Sequence, residues 1–125
     1  MKNLVYIALA LLFTLSAEAG GNKFGNNIPQ LRLEFYSLQA KVKSELASCK
    51  NSENYPVYLA KYSELKEAYY QFMDTTLEAS KNMTDGLAIA DALTARSEAA
   101  LELSFDIEVP HNHMMRSAIG NCSAQ

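Results

Sequence analysis

Cysteine, glycine and proline are all scarce in this 125-residue sequence, which has two, five and three of them. Two cysteines exclude a disulfide-dense scaffold, and so few glycines exclude a collagen-like repeat. Positive charge is not in excess either, since eleven Lys and Arg face fourteen Asp and Glu for a formal charge of −3. Phosphate backbones reward clustered basic residues, so nucleic acid is not the expected partner. No segment alternates with the period of two that marks a strand, and neither a hairpin turn pair nor an internal repeat is present. Catalytic signatures are missing as well: there is no G-x-S-x-G elbow, no H-E-x-x-H helix and no P-loop. The sequence predicts a protein that is not an enzyme and carries no cofactor. What is there is 49% hydrophobic and 20% charged. That is too apolar for a disordered chain and the right length for one domain.

Long hydrophobic runs are also lacking, with one short exception at the N-terminus. Met1-Lys2-Asn3 supplies a positive charge, Leu4 to Leu15 is almost unbroken apolar sequence, and Ala17-Glu18-Ala19 is a small-x-small triplet. These are the three regions of a secretory signal peptide, and the run falls short of the about twenty residues that span a bilayer. Cleavage is expected after Ala19, with delivery to the periplasm and no membrane attachment afterwards. Residues 20–27 (GGNKFGNN) then read as a flexible lead-in and residues 28–125 as a single helical domain. In an oxidising compartment the only two cysteines, Cys49 and Cys122, are expected to form a disulfide. A loop of that length is worth roughly 4 kcal/mol in the chain-entropy model. A thiol redox role lacks the C-x-x-C spacing, and a bridge between two chains is the remaining alternative.

Apolar residues recur every three or four positions through most of the domain. Leu31, Phe35, Leu38, Val42, Leu46 and Cys49 mark one face of a first helix, entered by Asn27 as cap and Pro29 in the first turn. After Tyr55-Pro56 a second stripe runs through Tyr58, Tyr62, Leu65, Tyr69, Phe72, Met73 and Leu77. Ser80 to Asp85 is a polar break in which Thr84 is the expected N-cap. A third, Ala-rich helix from about Asp85 to Ser104 has two apolar strips. One contains Leu87, Ala90, Thr94, Ser97, Leu101 and Ser104 or Phe105, the other Ile89, Ala92, Ala100 and Leu103. A helix apolar on two sides is central in a bundle or covered by another subunit, which would allow a homodimer. Pro110 starts a short last element through Ile119. The predicted fold is all-α: an antiparallel bundle of three long helices plus a short C-terminal helix, stapled by one disulfide.

Three groups of residues are candidates for function. His111, His113, Met114 and Met115 are imidazole and thioether ligands suited to copper, although the two histidines stand about 200° apart on a helix. The plainer reading has a methionine packing inward. Tyr58, Tyr62 and Tyr69 share a face, either as core or as a recognition surface. Asp91, Glu98 and Glu102 fall on one stripe of the third helix, and residues 83–125 carry two Arg against six acids. Such a stripe is either a solvated face or a docking surface for a basic partner.

Taken together, Met1–Ala19, the Cys49/Cys122 pair and the helical stripes resemble the small periplasmic immunity proteins that neutralise type VI secretion effectors. The resemblance implies a protein partner, a basic secreted peptidoglycan hydrolase of muramidase type, whose active site is occluded. Asp91, Glu98 and Glu102 with the edge tyrosines Tyr58, Tyr62 and Tyr69 would then form the contact. The copper-binding segment and a homodimeric scaffolding subunit are the alternatives.

Overall fold

The computed structural model describes residues 27–123. The expected signal peptide and all but the last residue of the lead-in lie outside the described residues. Met1–Gln30 and Leu31–Gln125 are separate units, and the packing below lies within the second. Helix α1 spans Ile28–Ala47, α2 spans Tyr55–Lys81 and α3 spans Gly86–Glu102. A π-helical segment, Leu103–Glu108, joins α3 directly to α4, Val109–Ser123. Among the described residues there are thus three helical rods and no strand, as the periodicity predicts. The terminal element expected at Pro110 is helical but follows α3 without a turn.

Local chemistry accounts for each boundary. After α1 the Lys50 N–H reaches the Glu45 carbonyl and the Cys49 N–H the Leu46 carbonyl. This is a Schellman termination, and its left-handed position is held by Cys49 (φ 55°) where glycine is usual. The loop that follows is fastened to the last turn of α1, because Ser52 Oγ and Asn54 Nδ2 (3.0 Å) both donate to the Glu45 carboxylate. Helix α3 starts at Asp85, whose carboxylate accepts the Ala88 N–H at 3.1 Å. Asp85 rather than Thr84 is therefore the N-cap, with its negative charge at the positive end of the helix dipole.

The π segment follows from Pro110. A proline has no N–H for the carbonyl four residues earlier, and its ring collides with that carbonyl in an α-helix. That carbonyl belongs to Asp106. It takes its hydrogen bond from the Tyr36 hydroxyl of α1 instead, at 3.1 Å. The Val109 N–H bonds Ser104 five residues back, which is the wider π spacing. The helix thus continues through a proline because a side chain from α1 satisfies the group left over.

The partners show how the rods are staggered. Arg32 meets Glu102, Tyr36 meets Asp106 and Cys49 is bonded to Cys122, so α1 runs parallel to the long rod and beside its second half. Tyr58 meets His111 and Tyr69 meets Glu102, so α2 runs antiparallel to the same rod, beside its first half. All three overlap around residues 102–111. The core sits there: Phe35, Tyr58, Leu65, Tyr69, Ala99 and Ile107 have no exposed area, and Leu103 is nearly as buried.

Candidate functional site

Two polar clusters sit inside that core. In the first, Phe35 stacks on Tyr58 (5.3 Å) and Tyr62 (5.9 Å), and His111 stacks on Tyr62 at 4.1 Å. The Tyr58 hydroxyl is 2.6 Å from His111 Nδ1 and 3.5 Å from the Gln39 amide nitrogen. The amide can only donate, so the hydroxyl proton is left for Nδ1 and the imidazole proton sits on Nε2. Burial pushes the Tyr58 hydroxyl up to about 12, keeping it protonated. Burial, and secondarily the Lys66 ammonium, pulls His111 below its ordinary value, keeping it neutral. In the second cluster the Tyr69 hydroxyl and Arg32 Nη1 both donate to Glu102 Oε1. Burial first, and then the Glu102 charge, holds Tyr69 far above the usual tyrosine range.

These clusters reassign several residues singled out by sequence. Tyr58 and Tyr69 are wholly buried, so they cannot touch a partner, and of the three tyrosines only Tyr62 keeps exposed area. The hydroxyls that would favour an edge position instead find Nδ1 and a carboxylate inside. Glu102 is half-buried and committed to Arg32 and Tyr69, whereas Asp91 is exposed and Glu98 half-buried. The His-Met segment is not gathered into one site: His111 and Met114 are buried, His113 is exposed and Met115 is between. No group of three or more His, Cys, Asp or Glu placed to hold a metal occurs among the described residues. Cys49 and Cys122 are bonded, as expected.

The surface of the long rod is more unusual than its interior. Ala99, Leu103, Ile107, His111 and Met114 form the inward line. Positions two residues along stand on the opposite side of a helix, and there Leu101, Phe105 and Val109 are 56%, 64% and 49% exposed. Leu87 continues the strip at 76%, with Ala90, Thr94 and Ser97 also exposed. The apolar strip containing Leu87, Leu101 and Phe105 is therefore the outer one; of the other expected strip only Leu103 is buried, Ile89 and Ala92 are half-buried, and Ala100 is exposed, Ala99 taking the inward place. Asp91 and Glu98 border the outer strip, with Asp106 exposed beside Phe105. Val109 and Asp106 were not singled out by sequence, and the signal for them was Pro110, which marks the helix turn where the backbone widens. No family model, curated protein or solved structure matches this chain.

Proposed function

We propose that this chain is an exported inhibitor of immunity-protein type, which binds a basic cell-wall-degrading enzyme and occludes its cleft. The observation that carries the reading is the outer face of the long rod, where Leu101, Phe105 and Val109 protrude beside Asp91, Glu98 and Asp106. An exposed aromatic flanked by aliphatic side chains is hot-spot chemistry. Acids along its border suit a basic partner and speed encounter. An inhibitor of this kind needs no catalytic group of its own, only a rigid scaffold. The disulfide and the two buried polar clusters supply one. Glu102 serves that scaffold, so the exposed Asp91 and Asp106 carry the charge complementarity.

The test is inhibition of glycan-strand hydrolysis by a panel of basic peptidoglycan muramidases. The wild-type protein is expected to inhibit one of them stoichiometrically. Phe105→Asp should abolish inhibition with the circular-dichroism spectrum and Tm unchanged. Asp91→Lys with Asp106→Lys should weaken it and flatten its salt dependence. No inhibition across the panel, or full inhibition by the Phe105 variant, would overturn the proposal. The same outer strip also favours a second reading, pairing of two copies, for which light scattering would give twice the monomer mass.

A further inference from the structure

Beyond His111 the long rod runs beside α1, and the two helices leave a groove between them. Its volume is about 270 Å³, not quite twice the roughly 150 Å³ of an apolar cavity that admits benzene. The floor is apolar, formed by Leu46 of α1 with Met114 and Ala118 of α4. The walls carry Lys43 on the α1 side and His113 on the α4 side, both exposed at the rim. Among the described residues no carboxylate lines it. The groove is therefore amphipathic, with an ammonium and an imidazole above hydrocarbon.

We propose that this groove is a binding site for a small organic carboxylate with an apolar body about the size of a phenyl ring. The body would lie on Leu46, Met114 and Ala118, and the carboxylate would pair with Lys43 and accept from His113. One ammonium with an imidazole beside it suits a single carboxylate. The Cys49–Cys122 bond holds the two walls together at the far end, where Cys122 Sγ lies 3.4 Å from the Leu46 carbonyl. The site does not depend on the inhibitor reading, since none of its residues belongs to the outer strip.

The test is a titration of the disulfide-bonded protein with 3-phenylpropionate and, in parallel, with the uncharged 3-phenylpropanol, followed by backbone amide NMR. Saturable shifts are expected at Leu46, Met114 and Ala118 with the acid. The alcohol should bind about tenfold more weakly, the worth of one charge-assisted hydrogen bond. Lys43→Met should reduce the acid to the affinity of the alcohol, and Ser117→Phe, which fills the groove from an exposed position, should remove both. Reduction of the disulfide should weaken the acid as well. Equal binding of acid and alcohol, undiminished binding by the Ser117 variant, or no saturable shift in the groove at millimolar ligand would each overturn the proposal.

Discussion

Replacing His111 by Phe should cost stability for a reason that replacing Tyr58 as well removes. A phenyl ring at 111 can keep the stack on Tyr62, where the ring centroids are 4.1 Å apart. It takes away the acceptor 2.6 Å from the Tyr58 hydroxyl, whose only other partner is Gln39 at 3.5 Å. A buried hydroxyl left unsatisfied costs about 1–3 kcal/mol. Tyr58→Phe alone strands Nδ1 of His111 instead, at a similar cost. The double variant strands neither group, and removing both partners of a buried hydrogen bond is nearly neutral. With the double near zero, the coupling equals the sum of the two single losses, so the cycle should show about 2 kcal/mol or more. At roughly 4–8 °C per kcal/mol for a domain of about this size, each single variant melts visibly lower and the double melts above both. Chemical denaturation with unchanged m-values would give the same ranking. Strictly additive losses would refute the account of a satisfied buried pair.

The same histidine fixes a pH window. Its native value lies below the ordinary 6.5, through burial first and Lys66 second. As pH falls through 6.5 the unfolded chain takes up a proton that the native state refuses, so stability drops. The drop continues until the native value is reached, and above 6.5 His111 contributes no pH dependence. The charged neighbours are Lys66 and its partner Glu108, 3.9 Å away. The wild type should thus lose stability between about pH 7 and 5 by more than the His111→Phe variants do. Parallel profiles over that range would mean that the imidazole is already charged in the fold.

Other consequences are more local. Cys49→Ser with Cys122→Ser should cost about 4 kcal/mol at most in the chain-entropy model for 73 residues of separation. Amide exchange should then accelerate first in α4 beyond His111, and a Tm insensitive to reductant would contradict this. Glu102→Leu should cost about 1–3 kcal/mol, because it removes the carboxylate to which the buried Tyr69 hydroxyl and Arg32 both donate; a Tm unchanged by it would show the cluster to be dispensable. The value stays below that of a fully buried pair, since Arg32 and Glu102 keep 29% and 20% of their side-chain surface. Pro110→Ala restores an N–H for the Asp106 carbonyl, so Tyr36→Phe should cost about 1 kcal/mol in the parent and almost nothing in that background.

How much of this was legible in the sequence depends on where each choice is made. The stripes of α1 and α2 were readable because large side chains such as Phe35, Leu65 and Tyr69 recur at helical spacing. Their burial outweighs any alternative orientation. The third rod was readable as a helix but not in its orientation. Its first half is largely alanine, which offers little transfer energy to either side. The facing is decided by Leu103, Ile107 and His111, which keep to one line only because the π segment intervenes. That segment rests on Pro110 together with Tyr36, a residue 70 positions away, and single-strand periodicity carries no trace of such a pairing. The tyrosine hydroxyls were opaque for the same reason. Whether Tyr58 and Tyr69 face water or the core depends on His111 and Glu102, which the fold alone brings to them.

Those buried polar pairs also explain why the rods keep their stagger. Apolar stripes at helical spacing tolerate a slip of one turn, since another leucine or tyrosine then fills each place. The polar groups do not. Sliding α2 by a turn against the long rod would take the Tyr58 hydroxyl away from His111 and the Tyr69 hydroxyl away from Glu102. At about 1–3 kcal/mol for each broken pair, such a slip costs a sizeable share of the stability of a small domain. Helix α1 is fixed in the same way by Arg32 on Glu102, Tyr36 on Asp106 and the disulfide. The stagger, in turn, carries most of α2 away from α4, and the groove above Leu46 and Met114 opens between α4 and α1. Polar residues spent on register inside the bundle thus determine which surfaces are left open outside it.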